Sequence, residues 1–223
     1  GYFVPPSGRV YWAFDAERHV RPFDWRLVGD KVMGCDFNVS PMFWCHGVRW
    51  HVSDGSGGEK GVIWIWSETQ RENTNPWAHA ELCADVWADF DEPRGRPRPS
   101  RSEAAAQVIA HPDAAGRARS TKASENDFGA MQRVGFKVRA PDANPPVKDR
   151  VFALNTAFHE GRCFIDPCCE ELIRCLQAQA RDKYNEPDKT QGVDHAPDAL
   201  GYLWWGTDPR VAPKGNARDF SWM

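Results

Sequence analysis

The sequence predicts a mixed α/β sheet flanked by helices, and two observations carry that expectation. Three β-rich runs with short connections stand close together early in the chain, which suggests an antiparallel meander. From Asn75 onward, helical and strand patterns alternate. The 223 residues, 41% of them hydrophobic, are enough for one sizeable core. A single domain over residues 1–207 is therefore expected. An irregular tail over 208–223 follows, interrupted by Pro209, Pro213 and Gly215.

Each element has its own signal. Gly8 to Phe14 has strand composition, and Lys31 to Phe37 is an apolar strand ending near Asn38. Met42 to Val52 and Gly61 to Trp66 are β-rich, with Gly55-Ser56-Gly57-Gly58 as the turn between them. Asn75-Pro76 caps and opens a helix through Trp87, with Pro at the first helical position. Pro93 to Arg101 is a basic, proline-rich loop, and Gln107 to Ala110 a short buried strand. Ser124 is the expected cap of a helix through Val134, with Asp127 three residues on. Phe136 to Arg139 is another strand, Lys148 to His159 a helix and Arg162 to Ile165 a strand. Cys169 to Lys183 places Leu172, Ile173, Leu176 and Ala180 on one helical stripe. Asp194 to Trp205 is an apolar helix with a polar start.

Composition excludes several classes. No apolar run approaches the roughly 20 residues that cross a bilayer. The start, Gly1-Tyr2-Phe3-Val4-Pro5-Pro6, lacks the basic region and apolar run of a signal peptide, so an intracellular chain is expected. The seven cysteines are odd in number and contain no CxxC pair. Cys163, Cys168, Cys169 and Cys175 cluster near His159, but at spacings that fit no usual zinc pattern, and reduced, structural cysteines are expected. A net charge of −3 is not that of a protein holding nucleic acid by charge alone, although local basic segments can still form a track. There is no GxSxG elbow for a serine hydrolase. Gly55 to Gly61 has the wrong spacing for a phosphate-binding loop and no Ser or Thr after its lysine, so ATP hydrolysis is not expected.

Three aspartates stand out. Asp36 lies in an otherwise apolar strand, where a carboxylate is costly unless paired or bound to a cation. Asp113 follows the run Val108-Ile109-Ala110 and precedes Ala114-Ala115-Gly116, small residues that would let a substrate backbone approach. Asp198 falls just after Pro197 in the first turn of the last helix, where the helix dipole favours the ionised form. Taken singly, each also reads as an edge-strand acid, a turn residue or a cap. Together they describe an acidic cluster for Mg²⁺ or Mn²⁺. A pair of such ions, roughly 4 Å apart, activates water and stabilises the leaving oxygen of a phosphodiester.

Three segments carry a resemblance: Gly34-Cys35-Asp36-Phe37-Asn38, His111 through Ser120 (HPDAAGRARS), and His195-Ala196-Pro197-Asp198-Ala199-Leu200-Gly201-Tyr202. Gly135-Phe136-Lys137-Val138 follows the middle one in the expected order. From about Arg9 to Trp205 the chain resembles the nuclease domain of tailed-bacteriophage large terminases. That resemblance implies an RNase H-like fold and a metal-dependent endonuclease that cleaves double-stranded DNA during genome packaging. It implies two Mg²⁺ or Mn²⁺ ions, with Asp36, Asp113 and Asp198 as ligands and His195 assisting. Two alignments of the middle segment are open, one with its acid at Asp113 and one, shifted by two, landing on His111. The resemblance further implies a terminase ATPase domain, the portal and the small terminase subunit as partners, in the host cytoplasm. Other readings on the same fold are a resolvase- or transposase-type nuclease and a non-catalytic DNA-binding or docking module.

Arg117, Arg119 and Lys122 after the second motif, and Lys148 and Arg150 at a helix start, are the expected phosphate contacts. Arg94, Arg96, Arg98 and Arg101 on the basic loop are further candidates. Glu68 is read as a solvated strand-end acid rather than a fourth ligand, and Asp194 as a helix cap rather than an auxiliary one.

Overall fold

A six-stranded sheet of order β7-β4-β1-β2-β3-β8 organises the computed structural model, which describes residues 8–118, 120–122 and 125–208. The expected meander forms its centre: β1 (Asp30–Asp36), β2 (Met42–Ser53) and β3 (Glu59–Arg71) pair antiparallel. The β2–β3 turn closes on Asp54, whose carboxylate accepts the backbone N–H groups of Ser56 and Gly58, while Gly55 and Gly57 take positive φ. β3 runs longer than its sequence pattern, and Trp66 is the extra residue of a bulge opposite His46 and Gly47. β4 (Val108–Pro112) runs parallel to β1, β7 (Lys137–Val138) parallel to β4, and β8 (Cys163–Ile165) parallel to β3. A two-stranded ribbon, β5 (Ser120–Lys122) with β6 (Glu125–Asn126), lies apart from the sheet.

Helices cover both faces. They are α1 (Ala16–His19), α2 (Pro76–Asp89), α3 (Arg101–Ala105), α4 (Asp127–Val134), α5 (Val147–His159), α6 (Glu170–Ala178) and α7 (His195–Thr207). The period-two alternation of the strands divides the core. Val32, Phe43, Cys45, Ile63 and Ile65 pack with α5, α6 and α7. Met33, Cys35, Met42, Trp44 and Trp66 face the other way, against α2, α3 and α4. Asn75 caps α2 through its side chain, as expected.

Some local expectations are corrected. Gly8 to Phe14 forms no strand beyond a single bridge between Arg9 and Ala180. Its apolar residues are buried against α5 and α6, and the Asn155 side chain takes up the backbone of Val10 and Ala13. Apolar content there reports burial, not pairing. The cap of α4 is Asn126, which accepts from Gly129 N; Ser124 lies outside the described residues. α6 stops at Ala178 because Ala180 and Arg181 are drawn into bridges with Arg9 and Pro187. Within the basic loop, Ser100 and Glu103 form a reciprocal capping box that starts α3. All seven cysteines are free thiols, six of them buried. No helix among the described residues is long and apolar enough to cross a membrane.

Candidate active site

The site forms where β1 and β4 end together. These neighbouring parallel strands finish at Asp36 and Pro112, and Asp113 N donates to Cys35 O at 3.0 Å, carrying the ladder to the ends. Asp36 and Asp113 thereby stand on adjacent strands, 5% and 6% exposed. α7 brings the third carboxylate. It lies directly on β1 and β4 because two glycines leave room: a Cβ on Gly34 would collide with the Ala199 carbonyl, and one on Gly206 with the His111 ring. Asp198 and His195, in the first turn of α7, are delivered to the strand ends.

Hydrogen bonds tie the cluster together. His195 Nδ1 lies 3.0 Å from Asp36 Oδ2 and 2.6 Å from Asn38 Nδ2, and Asn38 also donates to Asp36 Oδ2 at 3.2 Å. Asp113 Oδ1 accepts from Ala115 N and, at 2.6 Å, from Asn144 Nδ2. Asn144 accepts Ala114 N in return, so it braces the turn after β4. Asp198 Oδ1 accepts from Arg150 Nη1 at 3.0 Å, and Lys189 Nζ lies 3.6 Å from Asp198 Oδ2 and 3.3 Å from Asp194 Oδ2. Among the described residues, nothing donates to Asp36 Oδ1 or Asp113 Oδ2.

The carboxylates also act on one another. Burial pushes the Asp36 carboxyl above its ordinary range; the His195 bond opposes this, and the nearby charges of Asp198 and Asp113 add to it. The bond to Asp36 holds the His195 imidazole above its usual value against burial, with Asp194 contributing. Burial works against the Arg150 charge, yet Asp198 beside it keeps the guanidinium firmly protonated, stacked 4.3 Å from the Tyr202 ring centre. Among the described residues no set of three His, Cys, Asp or Glu groups is preassembled around one point. Each carboxylate is turned to a protein donor. The donor set still fits a hard divalent cation: it is made of carboxylate oxygens, mutually repelling, with two left unengaged.

The structure brings Asp36, Asp113, Asp198 and His195 together. His111, one residue before the end of β4, is buried against Gly206 in the last turn of α7, and burial pushes its pKa down to about 3. Gly116 gives its space to the rings of Phe37 and Phe128, so it serves internal packing rather than substrate approach. Glu68 does something the sequence did not suggest: its two oxygens accept Glu171 N and Leu172 N, closing the start of α6. Asp194 stands at the cap position of α7 but makes no capping bond; its carboxylate faces Lys189.

The expected phosphate contacts are largely engaged. Arg150 is 4% exposed and points inward to Asp198, which corrects its placement on the surface. It shares an α5 face with Leu154, Ala157 and Phe158, and that helical spacing was the signal for its burial. Arg117 donates to the carbonyls of Pro141 and Asp142. Lys148, largely exposed, lies 3.5 Å from Glu186. Arg94, Arg96, Arg98 and Arg101 pair with Asp85, Asp89 and Asp91. Arg119 and the Lys122 side chain lie outside the described residues. Asn144 and Lys189 went unnoticed in the sequence, and Asn38, two residues past Asp36, was given no role there.

The strand order and the two-sided helical cover make a mixed α/β fold of the expected RNase H-like kind, shared with solved large-terminase nucleases. The chain is similar to the large terminase of a thermophilic bacteriophage in complex with ATP-γ-S, with a TM-score of 0.64 at 18% identity. That match covers 89% of this chain and 45% of the other, so the chain spans less than half of that phage protein. Similarity to the P22 large terminase nuclease domain gives a TM-score of 0.60 at 17% identity, over 88% of this chain and 90% of that one. For the large terminase nuclease of the thermophilic phage G20c with bound magnesium the values are 0.54 and 10%, over 90% and 98%. No family model and no curated protein matches the sequence.

Proposed function

We propose that this chain is a divalent-cation-dependent DNA endonuclease acting in phage genome packaging. The observation that carries the reading is the convergence of Asp36 and Asp113, at the ends of adjacent parallel strands, with Asp198 from α7. The fold likeness to terminase nucleases, one of them solved with bound magnesium and again with bound cobalt, supports it.

Asp36 and Asp113, with Asp198 beside them, would hold Mg²⁺ or Mn²⁺. Such a cation makes a nucleophile of water near neutral pH and offsets charge gathering on the phosphodiester. The chain's own residues then have distinct tasks. The Asp36 carboxylate is oriented by Asn38 and His195, and the Asp113 carboxylate by Asn144 and Ala115 N. His195 Nε2 lies 3.9 Å from Asp194, so the imidazole is held between two carboxylates, able to keep or pass a proton at the site's edge. Arg150 balances the charge of Asp198 and locks α5 to α7.

Double-stranded DNA is the proposed substrate. The ATPase domain, portal and small subunit are proposed partners, since the chain corresponds to under half of a whole terminase. Plasmid cutting in Mn²⁺ tests the reading. Wild-type protein should cut, and Asp36→Asn should not; cutting that persists in the mutant refutes the site.

A further inference from the structure

The carboxylates of the cluster are not equivalent, and their partners sort them into two halves. Asp36 and Asp113 each spend one oxygen on neutral or imidazole donors and leave the other, Oδ1 and Oδ2 respectively, unengaged among the described residues. Asp198 leaves neither: Oδ1 faces the Arg150 guanidinium and Oδ2 the Lys189 ammonium. Lys189 Nζ also reaches Asp194 Oδ2, so a single ammonium bridges two carboxylates at 3.3 and 3.6 Å.

Building on the nuclease reading, we propose that the site is divided: Asp36 and Asp113 hold one divalent cation, and Lys189 stands in the place of a second against Asp194 and Asp198. Arg150 is buried, ion-paired and stacked on Tyr202, so it is a fixed positive charge on the Asp198 side. A second divalent ion there would face that charge and the ammonium together. An ammonium is a compact, strongly hydrated point charge, suited to the role of a single cation between carboxylates. Lys189 comes from the segment between α6 and α7 and is 58% exposed, so it is attached only through its charge. It is a positioning residue, acting through Asp194 and Asp198.

Mn²⁺ titration of the 223-residue chain, by calorimetry and by the electron paramagnetic resonance signal of unbound Mn²⁺, tests the division. Wild type should take up one ion and Lys189→Arg one. Lys189→Met should take up two, with the second site tightened by about tenfold or more. Asp36→Asn should lose the ion that wild type holds. Far-UV circular dichroism confirms the fold of each variant, and Lys189, being half exposed, tolerates exchange. Two ions in wild type, or one in Lys189→Met, overturns the division. A wild type that cuts DNA and binds two ions leaves the nuclease reading standing; one that binds no ion and cuts nothing removes that reading and this inference together.

Discussion

Two buried polar clusters lie on opposite faces of the same sheet, and they solve the cost of burial in opposite ways. On the α7 face, Asp36 stands beside His195, Asp194 beside Lys189, and Asp198 between Arg150 and Lys189. On the α2 face, inside a shell of Trp44, Trp66, Trp87 and Phe90, the Thr69 hydroxyl lies 3.2 Å from His46 Nε2, 3.1 Å from His79 Nε2 and 3.2 Å from Cys83 Sγ. That second cluster is neutral: burial pushes His46 down to about 3 and His79 to about 4. A polar group sealed in an apolar core gives up its charge and turns to its neighbours. At the end of the sheet, by contrast, the carboxylates stand beside cationic or imidazole partners. The arrangement at the sheet end leaves carboxylate oxygens unengaged among the described residues.

Acid should separate the two most strongly. His46 and His79 both have folded pKa values below the usual 6.5, so the unfolded chain binds protons first as pH falls. Stability is full above about pH 6.5 and declines below it, until the folded-state values near 3 to 4 are passed. Between pH 7 and pH 5 each of these two histidines contributes about 2 kcal/mol of loss, roughly 4 kcal/mol together. Urea unfolding at the two pH values measures this. Equal midpoints would mean that these imidazoles are charged in the native state and that the neutral cluster is misread.

Asp36→Asn tests the other side of the contrast. The carboxylate is disfavoured by burial, so an amide of the same shape should not lower the melting temperature in metal-free buffer. Cutting should fall by at least about 10³-fold, the scale of losing several kcal/mol of cation stabilisation. A melting point lowered by more than about 3 °C would make Asp36 a structural residue, like those of the α2 face.

How much of this was legible in the sequence follows from the same physics. The meander, α2, α5 and α7 were legible because periodicity and caps are local, and Asp36 was conspicuous as a charge in an apolar strand. The partners that surround the aspartates were not. Arg150 reads as a helix-start surface charge until it is placed on the face with Leu154 and Phe158, and Lys189 sits in a polar loop with no pattern. Glu68 was read as solvated because its partners, the backbone N–H groups of Glu171 and Leu172, lie about a hundred positions on. Gly8 to Phe14 was read as a strand because burial and pairing leave the same apolar trace. Thr69 is one more β-branched residue in a strand until His46 and His79 converge on it.

Thr69→Val sharpens the comparison further. It keeps the shape but leaves His46 Nε2 and His79 Nε2 without their shared hydroxyl, a loss of roughly 2 kcal/mol. The melting temperature should fall by about 4–8 °C, while the rate of DNA cutting at a temperature below the transition stays as in wild type. A variant that melts normally but cuts slowly would show that the sheet couples its two faces, and the contrast would fail.

The smallest effect should come from charges at the rim. Arg98 and Arg101 are half exposed and pair with Asp85 and Asp89 on α2. Ion pairs in water gain little and are screened, so Arg98→Ala with Arg101→Ala should shift the melting temperature by less than about 2 °C. These arginines are already neutralised by their acids, and therefore the salt dependence of DNA binding should keep its slope. Each phosphate contact removed changes that slope by about 1. A slope that falls by about 1 to 2 in the double variant would mean that DNA competes successfully for these guanidinium groups, and the basic loop would join the carboxylates as a surface held ready for a ligand.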